Sequence, residues 1–475
     1  MAAPSEPRRR RGGRAVYLSP KAIGQRSPQD VDVTLTALGG RGDGLGRLPS
    51  GEVVLVAGGV PGERVGVRLL PPGRGPRRGD VLTVLEASPA RVEPPCPVFA
   101  RCGGCALQHI DAGVQAEQKR AWLERLLQPG DPPLQWLVPV APFGHRRRVR
   151  FHLRRIKGVL AAGFMERASD ALATTPQCRV LVPALDRLLV LVPPALEPFV
   201  EHGEVHATAG REGVVVRIDA APRSHGLPVP PRLARDLAAV LGIEGLALHL
   251  GRTAQQAGRA EVTLPETAAP ARAGGHDVPV RVDAGGFSQA TAAGNAAIRT
   301  AVANALADAG PVARVQEFFA GSGNLTALLI GHVGHVRTVE ADSAAVGRAQ
   351  ALVPRAASLG TVLTVDHGDA AALATPPAAG ELWLLDPGRP GAADLCRRAA
   401  LWQPRHVVYV SCAPDTLARD LRTLRTAGYV VRSAVGIDSL PQTVHVEAIL
   451  RLEFAPDRAT TPGRATTPEC ATSSR

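Results

Sequence analysis

From residue 281 onward, short apolar runs alternate with helical stretches, at 314–319, 325–330, 336–340, 343–352, 382–386, 406–410 and 416–426. No other feature limits the fold as strongly. Strands that alternate with helices build a mostly parallel sheet covered on both faces, so a doubly wound, Rossmann-like α/β domain is expected over 281–455. Such sheets collect ligands outside the carboxyl ends of their strands. The search for function therefore starts at those ends.

Four of them carry chemistry. Glu317-Phe318-Phe319-Ala320-Gly321-Ser322-Gly323-Asn324 closes one strand, and Thr326 opens a helix. Glycines let a backbone approach a ligand, and a helix N-terminus follows. Glu340 ends the next strand, about 20 residues beyond Gly321, where an acid can accept from ribose hydroxyls. Thr326 stands where a dinucleotide loop has its third glycine. That disfavours a pyrophosphate ligand and favours S-adenosylmethionine, with Asp369 as a further cofactor contact. Asp386-Pro387-Gly388-Arg389 follows an apolar run and forms another polar strand exit.

The fourth end is Val407-Val408-Tyr409-Val410-Ser411-Cys412-Ala413-Pro414, a strand that delivers a thiol to a loop. A thiolate there can serve as a covalent nucleophile; the plain alternative is a buried structural cysteine. Downstream, His445-Val446-Glu447 offers a proton acceptor. Strand periodicity puts His445 on the face of Glu447, in a supporting or structural role.

Cysteine spacing supplies a second theme. Cys96, Cys102 and Cys105 lie close together around Gly103-Gly104, and Cys178 lies further on. Four thiolates suit zinc or an iron–sulfur cluster, and spacing alone leaves both open. The seven cysteines are unevenly placed, which argues against a disulfide framework.

The chain has 475 residues and a net charge of +12, with pI ≈ 10.2. That balance points to a polyanion such as nucleic acid. With only 9 Phe, 4 Trp and 3 Tyr, backbone contacts are favoured over aromatic stacking. Residues 1–28 read as a disordered basic arm without a secretory h-region, and 456–475 as a low-complexity tail. Residues 29–90 carry short β-type runs split by Gly-rich turns, as in a small barrel, and the glycines of 39–46 read as a turn. Residues 91–280 form a central, mixed α+β region with a helix at 114–127 and little further pattern. No apolar run reaches membrane-spanning length. A soluble, cytoplasmic protein without an obligate protein partner is expected.

Taken in order over about 30–453, these motifs resemble the bacterial RNA uracil-5-methyltransferases, above all those acting on 23S ribosomal RNA. Val60-Pro61-Gly62-Glu63-Arg64 and Ser88-Pro89-Ala90-Arg91-Val92 are similar to the family's RNA-binding TRAM barrel, an OB-like fold. The resemblance implies a [4Fe-4S] cluster on Cys96, Cys102, Cys105 and Cys178. Phe287-Ser288-Gln289 matches a motif whose glutamine meets the cofactor. Phe319, Gly321, Gly323, Asn324, Glu340, Asp369 and Asp386 are implied as the rest of the S-adenosylmethionine site. Cys412 is implied as nucleophile and Glu447 as base, with Asp386 and Gln289 helping to hold base and cofactor. The chain departs from the family pattern at Gly388, Ala413, Thr291 and Leu440. The implied product is 5-methyluridine in ribosomal RNA. Transfer RNA methylation, cytosine-C5 methylation and a non-catalytic RNA-binding or assembly factor on the same scaffold are the rivals.

Overall fold

The computed structural model describes residues 30–455, apart from 74, 168 and 266–277. The basic arm and the tail expected at the two ends lie outside the described residues. The first five strands are β1 (Asp30–Leu38), β2 (Gly44–Arg47), β3 (Val53–Ala57), β4 (Arg64–Leu69) and β5 (Arg77–Glu86). They close a barrel in the order β1-β2-β3-β5-β4 around Val33, Leu35, Val54, Val56, Val65 and Val67. The expected small barrel is present. Its second strand, however, runs through the glycines read as a turn. A side chain at Gly46 would place its Cβ 2.4 Å from Val33 Cγ1, so glycine here permits close strand packing as well as turning. Glu63, wholly buried, takes a 2.5 Å contact from Arg91 and accepts from the Val60 amide at 2.9 Å. The two barrel motifs at 60–64 and 88–92 are thereby joined.

Helix α1 (Ala112–Glu124) follows, and Asp111 caps it by accepting from the Gly113 and Val114 amides. The cap starts the helix ahead of its apolar pattern. Gln115, Ala116, Lys119, Trp122 and Leu123 form its buried face. Trp122 Nε1 donates to the Leu38 carbonyl of the barrel at 3.1 Å. Then come β6 (Gln135–Leu137), β7 (Arg148–Ile156), β8 (Val159–Met165), β9 (Leu172–Thr174), α2 (Pro183–Asp186), α3 (Leu188–Leu196), β10 (Val200–Ala209), β11 (Val214–Pro222), α4 (Leu233–Leu241), β12 (Gly245–Leu250) and β13 (Thr253–Gly258). Seven of these strands form one sheet, β13-β12-β11-β10-β7-β8-β9. One face of it packs on α2, α3 and α4 through Phe151, Leu153, Val205, Ile218 and Leu248.

The remaining elements are β14 (Glu261–Thr263), β15 (Arg281–Asp283), α5 (Ala292–Ala307), β16 (Arg314–Phe318), α6 (Thr326–Leu329), β17 (His335–Glu340), α7 (Ser343–Gln350), α8 (Val353–Ser358), β18 (Val362–His367), α9 (Ala370–Leu373), β19 (Glu381–Leu385), α10 (Ala393–Trp402), β20 (His406–Ser411), α11 (Pro414–Thr426), β21 (Tyr429–Ile437) and β22 (Glu447–Phe454). The last sheet runs β18-β17-β16-β19-β20-β22-β21-β6. Its first five strands are parallel; β22 runs antiparallel to β20 and β21. Leu382, Leu384, Val408 and Val410 face one core, while Trp383, Leu385, Val407 and Tyr409 face the other. Burial on both sides is what near-continuous apolar strands require. The expected border at 281 does not hold for this sheet, because β6 is its edge strand and pairs with β21. Among the described residues no helix is long and apolar enough to cross a membrane.

The connection between β21 and β22 is pinned from outside the sheet. Lys119, fully buried, donates to Asp438 at 2.7 Å and to the Leu440 carbonyl at 3.1 Å. Gln115 exchanges hydrogen bonds with Gln442, and the Ala106 and Leu107 amides donate to the Gln442 carbonyl. Removing one member of a buried ion pair strands the other charge. Lys119→Met should therefore lower stability by about 3–5 kcal/mol, read as an earlier urea unfolding transition. Pairing it with Asp438→Leu should restore part of that loss.

Candidate active site

The sheet reverses its winding between β16 and β19, which are neighbours, so the loops after them diverge and leave a crevice. The loop after β16 is unusual. Phe319, Gly321 and Gly323 all have positive φ, at 66°, 57° and 85°. A phenylalanine in the left-handed region is strained, and such strain concentrates at ligand sites. Several contacts hold it. Glu340 accepts from the Gly321 amide at 2.8 Å and from the Ala341 and Asp342 amides. Asn324 and Asn295 exchange amide hydrogen bonds at 2.8 and 2.9 Å. Buried Arg299 donates to the Asn324 carbonyl. A Cβ on Gly321 would meet nothing within 4 Å, so this stretch of backbone is bare. A bare backbone flanked by an acid fits a nucleoside.

Asn295 and Arg299 come from α5, which the motif reading passed over. Thr291, a departure from the family pattern, caps this helix and donates to the Ser439 carbonyl at 3.0 Å. Just before it, the Gln289 carbonyl accepts from Arg147 Nε at 3.0 Å. Gln289 is thereby fixed between the central sheet and α5. Asp369 is exposed and caps α9 by accepting from the Ala372 amide at 2.8 Å.

Strand register assembles the reactive groups. Ser411 of β20 lies opposite Ala448 of β22, so the chain neighbours Cys412 and Glu447 meet at the end of that ladder. Asp386 leaves the adjacent β19 and donates its amide to the Phe318 carbonyl. Burial pushes the Asp386 carboxyl up to about 7. Burial, and then the neighbouring Asp386, pushes Glu447 up to about 8. Glu317, named in the loop but given no role, is 1% exposed and raised to about 8, chiefly by burial. It accepts from Thr326 Oγ1 at 2.6 Å, which explains threonine at the position of the missing glycine. Cys412 is raised to about 11 by burial, Glu447 and Asp386, while Arg389 pulls it down. The site is thus rich in buried carboxyls and poor in countercharge. His445, read from the sequence as supporting or structural, accepts from Arg389 Nη2 on its Nε2 at 3.1 Å.

Cys96, Cys102, Cys105 and Cys178 line one cavity of ≈ 480 Å³ together with Arg146 and Arg167. All four are free thiols. Burial raises Cys102 to about 11 and Cys178 to about 12, and it raises Cys105 as well. Among the described residues, however, no three His, Cys, Asp or Glu side chains stand at metal-ligand spacing. Cys96, Cys105 and Cys178 pack with Phe99 and Val180, and burial favours the protonated form of Cys102, Cys105 and Cys178.

No protein-family model matches the chain. A 23S rRNA (uracil(1939)-C(5))-methyltransferase RlmD of Halomonas elongata is 34% identical over 472 residues, 95% of this chain and 94% of that protein. The protein of the same name from Pseudomonas aeruginosa strain UCBPP-PA14 is 33% identical over 470 residues, covering 94% of this chain and 99% of its own. Among solved structures, the Pyrococcus abyssi tRNA (uracil-54, C5)-methyltransferase in complex with S-adenosyl-L-homocysteine superposes with a TM-score of 0.67. That match spans 89% of this chain and 100% of the other at 19% identity, and it shows a shared fold. With relatives this similar over nearly its whole length, the chain belongs to the RNA uracil-C5 methyltransferase family.

Proposed function

We propose that this protein uses S-adenosylmethionine to form 5-methyluridine in 23S ribosomal RNA, with Cys412 as covalent nucleophile and Glu447 as base. The observation that carries the reading is the β20–β22 register, which sets Cys412 against Glu447 beside Asp386. Ribosomal RNA is favoured because relatives named for it cover 95% and 94% of the chain. The five-stranded barrel is the proposed RNA grip. Gln289, Phe319, Gly321, Gly323, Asn324, Glu340, Asp369 and Asp386 are the proposed cofactor contacts. S-adenosylmethionine supplies an electrophilic methyl group.

C5 of uracil is a weak nucleophile. Addition of the Cys412 thiolate to C6 turns the ring into an enolate and makes C5 electron-rich. Once C5 carries the methyl group, Glu447 takes its proton, the C5–C6 double bond reforms and Cys412 leaves. To reach the thiol the uracil must quit its stack. Cys96, Cys102, Cys105 and Cys178 are the proposed ligands of a [4Fe-4S] cluster, with zinc as the alternative. Bound thiolates would tie the 96–105 loop to Cys178.

Cys412→Ala should cut methyl transfer by more than about 10⁴-fold while cofactor binding, measured by calorimetry, persists. Glu447→Gln should behave differently, since thiol addition and methylation precede the need for a base. It should accumulate a methyl-labelled protein–RNA adduct on denaturing gels, and the adduct should vanish when Cys412 is also replaced. Normal turnover, or an inert variant without adduct, removes Glu447 as base.

The raised carboxyls predict a pH dependence. Glu447 accepts a proton only when ionised, so breakdown of the adduct should speed up as pH rises through about 8. Stability should move the other way. Between the ordinary value of 4.5 and about 8, the folded chain holds a proton on Glu447 that the unfolded chain has released. This contribution is complete below the ordinary value and is lost as pH climbs through the raised one. The melting temperature should fall over that interval, and less so in Glu447→Gln.

Anaerobically purified protein should contain iron and sulfide. Stoichiometric zinc without iron would reassign the cysteine cavity.

A further inference from the structure

Cys412 lies among acids, and every neighbouring carboxylate opposes its ionisation. Addition to uracil needs the thiolate. A cation must therefore be held near the sulfur, and held firmly, because a solvent-exposed arginine on a glycine-containing turn has many places to go.

The turn is 386–391. Gly388 accepts from the Gly391 amide at 3.0 Å and occupies the position where the family pattern has a second proline, so the turn lacks that ring's restraint. Two contacts fasten its backbone to α11, the helix that follows Cys412. Thr416 Oγ1 donates to the Arg389 carbonyl at 3.0 Å, and Arg419 Nη2 donates to the Pro390 carbonyl at 2.8 Å. The Arg389 side chain then crosses to His445, Nη2 to Nε2 at 3.1 Å. Arginine has no acceptor, so the imidazole must receive this bond on an unprotonated Nε2 and carry its proton on Nδ1. Burial agrees, pushing His445 down to about 4, with Arg389, Arg146 and Lys119 acting in the same direction. His445 is itself fixed, since its amide donates to Thr443 Oγ1 at 3.2 Å.

We propose that His445 is a positioning residue, whose neutral ring holds the Arg389 guanidinium beside Cys412 so that the thiol can ionise. This rests on the assignment of Cys412 as nucleophile. His445 touches neither the base nor the cofactor in this role; it acts through Arg389. Glu447 and Asp386 face the sulfur on one side, and Arg389 is the counterweight. Thr416 and Arg419 fasten the turn's backbone, and the histidine contact fastens the side chain.

The test needs no RNA. Full-length protein is treated with iodoacetamide across a pH series, and alkylation of the Cys412 peptide is followed by mass spectrometry. Arg389→Gln should move the alkylation midpoint upward by about one pH unit, about a tenfold slower reaction below the midpoint. His445→Leu should move it by the same amount, and the double variant no further. His445→Gln, whose amide oxygen can accept from Arg389, should restore the original midpoint. Calorimetry with S-adenosylmethionine confirms that each variant is folded. An unmoved midpoint in Arg389→Gln overturns the proposal, as does a shift in Arg389→Gln that His445→Leu fails to reproduce. Loss of methylation in Cys412→Ala is scored separately, so failure of the nucleophile assignment is distinguishable from failure of the positioning role.

Discussion

The buried pair of Lys119 and Asp438 holds this molecule's parts in one arrangement. Lys119 belongs to a helix that also grips the barrel through Trp122 and Leu38. Asp438 opens the connection that ends at Glu447. An ammonium group wholly out of water is costly unless its partners are close, and here a carboxylate and a carbonyl are both within 3.1 Å. The cost enforces register. Any slip of α1 along the loop would leave two charges unpaired in a dry site. The same loop receives Gln115, the Ala106 and Leu107 amides and Thr291, so the barrel, the cysteine segment and α5 all bear on it.

That convergence explains why residues remote in sequence matter to one crevice. Thr291 and Thr326 replace residues of the family or dinucleotide patterns, yet each has a defined partner, Ser439 and Glu317. They are repacked contacts. The crevice itself is electrostatically lopsided. Glu317, Asp386 and Glu447 are all buried, and Asp386 makes both Glu317 and Glu447 harder to ionise. Such a site favours one ionised acid at a time, a useful state for a base that must both take up and release a proton. It is a poor environment for a thiolate, which gives the Arg389–His445 contact its weight.

Much of this was legible in the residues. The period of the apolar runs marked the sheet, because strands buried on both faces must be apolar throughout, as in 382–385 and 406–410. The strand-end polar clusters marked the crevice. Reading failed where spacing carries no signal. The strand at Gly44–Arg47 is hidden in a glycine run, since glycine serves both turns and close strand packing. The edge strand Gln135–Leu137 is too short to announce itself, and its partner lies 300 residues away. The reading also missed the ten- and nine-residue strands Val200–Ala209 and Val214–Pro222 and the helix Leu233–Leu241.

The sequence by itself determined the chemistry available: one thiol at a strand end, one acid at the start of the last strand, a glycine loop and four clustered or distant cysteines. Side-chain identity and local periodicity are properties of neighbouring residues, so they survive in one dimension. Tertiary structure alone decided how those groups act on one another. Only the fold could put Glu447 against Cys412, occupy His445 with Arg389 and bury three carboxyls together. It also gathered Cys178 with Cys96, Cys102 and Cys105 around a shared cavity. Ionisation depends on burial and on charges brought near through space, and no local pattern in a chain encodes those distances.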